Sequence, residues 1–233
     1  MIEGPHAAAA GRPPVAARFA LRVAVIHGNK LSRDLLRYHC ERTWDCAVVA
    51  CESDDEDGVR AVARDHPDLI ILGHSLPHTN AVEALPLVKQ ACPTAKSIIL
   101  VPQLTDYLVR RLGELRPQAV IEECCDGLEN VETAISRLRD GGRWLSAHYA
   151  QIAAGLRSVK GTFAMLLTER EQQVLVYVAH AMIDEEIAQR LRLTPKTVRK
   201  HRTNIARKLN LRSAPHHLIR FALEKGFQSA GFP

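Results

Sequence analysis

Between Arg190 and Arg212 the sequence places nine Lys or Arg residues and no Asp or Glu. With 100° per residue and Arg199 at zero, Lys196, Arg199, Lys200, Thr203 and Arg207 fall between about 0° and 100°, while Val198, Ile205 and Leu209 fall between about 240° and 280°. One stripe is cationic with a hydroxyl in it, and the opposite stripe is apolar. A helix kept only for solubility normally mixes charge signs. A second group with chemical potential is histidine. His27 and His74 follow short apolar runs, and His78 lies four residues beyond His74. Three imidazoles could bind Zn²⁺ or another transition metal, but the spacing is not motif-like. Ordinary packing is the preferred reading, with no metal and no cofactor expected.

The elements that position these residues fall into two zones. From Arg22 to Gly142 short apolar runs (22–26, 46–51, 69–72, 97–101, 119–121) alternate with helical patterns near 31–43, 56–66, 79–91, 105–115 and 128–139. Five strands alternating with five helices imply a doubly wound, five-stranded parallel α/β sheet. Ligand sites in such sheets lie beyond the carboxyl ends of the strands. His27 and His74 should therefore be neighbours.

From Phe163 the pattern is purely helical. Thr168 followed by Glu171 forms a capping box, Asp184 is the expected N-cap of a short second helix, and Thr194-Pro195 opens the basic third. A fourth covers about 214–225 and stops at Gly226. The expected division is a mobile extension over 1–20, an α/β domain over 21–142, a partly helical linker over 143–162 and a helix-turn-helix domain over 163–233.

Charge supports that division. The chain has 233 residues and a formal net charge of +5, yet 163–233 alone carries 12 Lys and Arg against 6 Asp and Glu. Excess positive charge confined to one module fits a nucleic-acid partner. At 5% aromatic residues, a base-stacking platform for single strands is disfavoured. Six cysteines without C-x-x-C spacing read as small buried residues of a reduced, cytoplasmic protein, with a redox role as the alternative for Cys124-Cys125. No apolar run is long enough for a membrane span.

The segment "LTEREQQVLVYVAHAMIDEEIAQRLRLTPKTVRKHRTNIARKLNLRS" resembles the LuxR-type helix-turn-helix of NarL/FixJ-family response regulators. Matches include Leu167-Thr168, Arg170-Glu171, Val174-Leu175, Glu186-Ile187-Ala188, Leu191, Thr197-Val198, His201, Ile205 and Lys208-Leu209. The resemblance implies a four-helix domain that binds double-stranded DNA, with 195–209 as recognition helix and the last helix as a homodimer contact. Base-reading positions fall on Arg199, Lys200 and Thr203. The full set of expected DNA contacts is Thr194, Lys196, Thr197, Arg199, Lys200, Thr203, Arg207 and Lys208. Ala181, Ile183 and Glu185 depart from the family's usual glycine, small hydroxyl residue and lysine.

Residues 22–142 resemble the family's receiver domain more loosely, through the alternating order, Leu31, Arg33, Pro67-Asp68 and Pro77. A receiver takes a phosphoryl group on an aspartate at the end of its third strand, beside Mg²⁺ held by acids after the first. Here the corresponding positions are Gly73 and His27-Gly28. Pro102 replaces the hydroxyl residue after strand four, and Glu122 the lysine after strand five. The expectation is a non-enzymatic transcription regulator that acts without aspartate phosphorylation. The alternative is a regulator whose altered pocket senses a small ligand, a metal or a regulatory protein.

Overall fold

The computed structural model describes residues 21–158, 167–211, 215–225 and 227. The expected extension over 1–20 and the Gly226 stop lie outside them, as does part of the expected linker. The first unit runs β1 (Leu21–Ile26), α1 (Lys30–Arg42), β2 (Cys46–Glu52), α2 (Asp55–Asp65), β3 (Leu69–Gly73), α3 (Ala81–Ala91), β4 (Lys96–Val101), α4 (Asp106–Leu115), β5 (Ala119–Glu122) and α5 (Leu128–Arg139). With a short β6 (Trp144–Leu145) at one edge, the strands lie parallel in the order β2-β1-β3-β4-β5-β6.

The sheet has six strands, which corrects the five expected. β6 is the two-residue Trp144–Leu145, paired with Ala119 and Val120 at the edge. Two residues cannot display an alternating pattern. Only the partner strand, with Gln118 accepting from Trp144 N at 3.0 Å, makes them a strand. After it comes α6 (Ala147–Ser158), so regular structure continues beyond Gly142.

β3 is central, pairing with β1 on one side and β4 on the other, and all five of its residues are buried. This is why "LIILG" is apolar throughout rather than alternating. Val23, Val25, Leu69, Ile71, Ile98 and Leu100 point to the face covered by α1 and α5. Ala24, Ile26, Ile70, Leu72, Ile99 and Val101 point to the opposite core. Side-chain caps start most helices where the sequence offers Asn, Asp or Thr: Asn29, Asp54, Asn80 and Thr105 each accept a first-turn N–H.

The second unit contains α7 (Glu169–Ala179), α8 (Asp184–Leu191), α9 (Pro195–Lys208) and α10 (Pro215–Glu224). Thr168 and Glu171 form the expected reciprocal cap: Glu171 N donates to Thr168 Oγ1 and Thr168 N to Glu171 Oε2, at 3.3 and 2.7 Å. Asp184 is not the N-cap of α8. Ile183 occupies that place, and its N–H donates to Glu186 Oε2 at 3.0 Å. The displaced Asp184 is thereby free to pair elsewhere. The two units touch through Tyr107 and Phe227, whose rings lie 4.9 Å apart, and through Arg111 and Glu169 at 3.0 Å. Among the described residues no helix is long and apolar enough to cross a membrane.

Candidate nucleic-acid interface and the pocket at the sheet end

Three separate devices hold α9. Its inner stripe buries Val198 and Ile205 completely. Thr194 caps its start, accepting from Thr197 N at 3.2 Å, and Pro195 fits the first turn, where no intrahelical N–H is needed. Asp184, from the first turn of α8, bridges Arg199 Nε at 3.2 Å and Arg202 Nη1 at 3.1 Å. Asp184 ties α8 to α9 chiefly through Arg202, which is largely buried, whereas Arg199 stays open to solvent.

What remains outside is cationic. Thr194, Lys196, Arg199, Lys200, Thr203 and Arg207 are exposed, and Thr197 is half-buried. Thr203 Oγ1 donates back to the Arg199 carbonyl at 3.0 Å, and Arg207 reaches Asn204 Oδ1 at 3.4 Å. The structure therefore gathers Lys196, Arg199, Lys200, Thr203 and Arg207 on one open helix face.

Lys208 stands apart. It lies near 180° on the same wheel, and its Nζ donates at 2.7 Å to Glu171 Oε2, a carboxylate only 4% exposed. Burial raises the Glu171 pKa, but the hydrogen bonds from Lys208 and Thr168 outweigh it and hold the carboxyl below its ordinary range. Lys208 thus ties α9 to α7. Sequence reasoning missed Asp184, Arg202 and Glu171 as members of this framework. Arg202, near 300° and so beside the apolar stripe, carried the one legible signal.

At the carboxyl end of the sheet His27 and Gly73 meet directly, as neighbouring β1 and β3 require. A Cβ built on Gly73 would lie 2.4 Å from His27 Cδ2 and 2.6 Å from Cγ. The ring fills the space a side chain at 73 would need. It is pinned on both edges: Asn29 N donates to Nδ1 at 3.0 Å, so Nε2 carries the proton and faces Glu123 Oε1 at 3.0 Å. Gly28 is equally confined, since a Cβ there would meet the Ser75 carbonyl oxygen at 2.5 Å. His74 is buried while His78 is exposed. Among the described residues these histidines do not gather into one cluster of donor atoms.

Glu122 ends β5 and is buried. Its Oε1 accepts from Leu104 N at 2.7 Å and its Oε2 lies 2.7 Å from His148 Nδ1. Burial pushes its pKa up, yet these hydrogen bonds prevail and keep it below the usual value. Pro102 is exposed, and its carbonyl accepts from Cys124 N. Cys124 and Cys125 are exposed, against the expectation of buried cysteines. They follow the last strand residue into a turn instead of continuing the strand.

The fold and site thus define a chain with a receiver-like parallel α/β unit followed by a helical helix-turn-helix unit. Residues 165–222 match the family model described as bacterial regulatory proteins, luxR family. The chain is 25% identical over 214 residues to the uncharacterized transcriptional regulatory protein YxjL of Bacillus subtilis, covering 88% of this chain and 96% of that protein. It is 23% identical over 210 residues to the transcriptional regulatory protein MctR of Rhizobium johnstonii, covering 90% and 96%. In fold it is similar to the RcsB response regulator of Salmonella typhimurium, with a TM-score of 0.69 at 15% identity over 88% of this chain and 97% of that one. A structure of an RcsB–DNA complex aligns with a TM-score of 0.56 at 16% identity, covering 88% and 98%.

Proposed function

We propose that this chain is a sequence-specific DNA-binding transcription regulator that acts as a dimer and is not switched by aspartate phosphorylation. The observation that carries the DNA reading is the open face of α9, with Lys196, Arg199, Lys200, Thr203 and Arg207 exposed behind a fully buried Val198 and Ile205. A short helix followed by a rigidly docked basic helix suits the major groove. In this reading Arg199, Lys200 and Thr203 meet base edges, and Lys196 and Arg207, nearer the helix ends, meet phosphates. The luxR-family match over this unit and the regulators among the relatives support the same reading.

Independence from phosphorylation rests on position 73, where there is no carboxylate and where His27 occupies the adjoining space. Mg²⁺ at such a site is held mainly by carboxylates, and His27-Gly28 supplies no carboxylate after β1. Dimer formation is supported by Leu31, Leu35 and Tyr38, which are exposed at i, i+4 and i+7 along α1 and so share one face. An apolar stripe of this kind suits a second copy of the chain.

The test is genome-wide mapping of fragments bound by purified protein never exposed to a phosphodonor, followed by binding to the recovered sites. A common short motif bound by a dimer is the expected outcome. Binding that appears only after treatment with acetyl phosphate, with an acyl phosphate seen by intact mass, would overturn it.

A further inference from the structure

The turn after β5 brings together groups that nucleic-acid binding does not use. Cys125 N and Asp126 N both donate to the Glu122 carbonyl, at 3.0 and 2.7 Å, and this tight return folds the two cysteines back beside the Glu122 carboxylate. Cys124 Sγ lies 3.6 Å from Glu122 Oε1 and 3.2 Å from Cys125 Sγ. The carboxylate oxygen and the two sulfurs all lie within 4.8 Å of one another. The thiols face solvent, whereas the carboxylate is 2% exposed and cannot swing away. Leu104 N holds one of its oxygens, and His148 Nδ1, from the first turn of α6, holds the other.

We propose that Glu122, Cys124 and Cys125 form a binding site for a thiophilic divalent ion, with Zn²⁺ as the reference ion. Two sulfurs and an oxygen are a donor set for Zn²⁺ and not for Mg²⁺ or Ca²⁺, which take oxygen ligands. Donors about 2.3 Å from a tetrahedral ion stand about 3.8 Å apart, a separation that small rotations of the exposed cysteine side chains reach. His148 orients the carboxylate, as hydrogen-bonding groups outside the ligand shell do for carboxylates that bind metals. Solvent completes the fourth position. Binding is a proton exchange with no change of oxidation state: each thiol releases its proton to solvent as its sulfur bonds the ion, and the already ionised Glu122 donates a lone pair.

A bare redox pair would require only the two sulfurs. The buried, doubly oriented carboxylate beside them favours the metal. This site differs from the His27, His74 and His78 grouping considered from sequence, and it does not depend on the DNA-binding proposal.

The experiment is anaerobic titration of the reduced, metal-stripped full-length protein with Co²⁺. One equivalent should bind with thiolate-to-cobalt charge transfer and the strong visible bands of a tetrahedral site, and Zn²⁺ should displace it. Cys124→Ser/Cys125→Ser should abolish the charge-transfer band, while Cys51→Ser should retain it, each with unchanged circular dichroism. His148→Ala, with both thiols intact, should weaken affinity about 10–100-fold. The assignment is overturned if the wild-type protein shows no charge transfer, or if the double serine variant keeps it. It is overturned equally if Zn²⁺ fails to protect the two thiols from alkylation.

Discussion

The imidazole of His27 lies against the backbone of Gly73 so closely that a Cβ at position 73 would sit 2.4 Å from its Cδ2. His27 directly follows β1 and Gly73 ends the adjacent parallel β3, and His27 is clamped between Asn29 N and Glu123. The bare backbone at position 73 and the adjoining ring are therefore one packing feature, and any larger residue at 73 requires the ring to move.

Gly73→Ala should destabilise the α/β unit by about 1–3 kcal/mol through overpacking. In a His27→Ala background the same change should cost much less, because the ring it strikes is gone. Urea melts of the four proteins in this cycle give the coupling. Equal costs in both backgrounds would show that the ring is not the obstacle.

On the recognition helix, Arg199→Ala should lose roughly 1–3 kcal/mol on a cognate site and relax preference at one base pair. Lys196→Ala should weaken cognate and random duplex alike and lower the salt slope by about one ion. Arg199 is 71% exposed despite its contact with Asp184, so its removal should leave stability nearly unchanged. Titrations of both duplexes across salt concentrations separate the two roles.

Lys208→Ala should behave in the opposite way, costing stability rather than specificity. It strips the partner from Glu171, which is 4% exposed, but Lys208 is itself 31% exposed. The expected loss is about 1–2 kcal/mol, below that of a fully buried pair. The sign with pH follows from the depressed Glu171 pKa: the stabilisation is complete above the ordinary glutamate range and is lost as pH falls through the lower folded value. The stability gap between wild type and variant should accordingly close in acid, as followed by thermal melts.

Ala181, at the turn between α7 and α8, has a backbone φ of +56°, a left-handed conformation that favours glycine. Ala181→Gly should raise stability by about 0.5–1 kcal/mol, the relief of strain exceeding the added chain entropy. A denaturation midpoint at or below wild type would argue against strain at this turn.

For assembly, replacing Leu31 and Tyr38 by Glu should shift the protein toward monomer in sedimentation velocity and weaken binding to a two-half-site duplex. Binding to a single half-site should change little, since α9 is remote in sequence and untouched. Dimers that persist unaltered would locate the contact elsewhere, with α10 the next surface to vary.

Much of this architecture was legible locally. Apolar runs against helical spacing mark ten elements of the first unit to within a residue or two, because strand and helix periods depend on neighbours along the chain. Thr168-Glu171 and Thr194-Pro195 mark helix starts because capping is settled within one turn. The shift from Asp184 to Ile183 as a cap was not legible. Glu186 supplies the reciprocal contact, and Asp184 is drawn to Arg199 and Arg202.

By itself the sequence determined that α9 would be cationic on one face and apolar on the other, and that position 73 would have no carboxylate. Those properties belong to residue identity and helical period. Tertiary structure alone decided that His27 fills the space at Gly73, that Lys208 is committed to Glu171, that Trp144–Leu145 is a strand, and that Glu122 meets two cysteines under the hold of His148. The long-range partners are 46 residues apart for His27 and Gly73, 37 for Lys208 and Glu171, and 26 for Glu122 and His148. No local period encodes such a meeting. It exists only once the sheet order and the helix packing have brought the segments together.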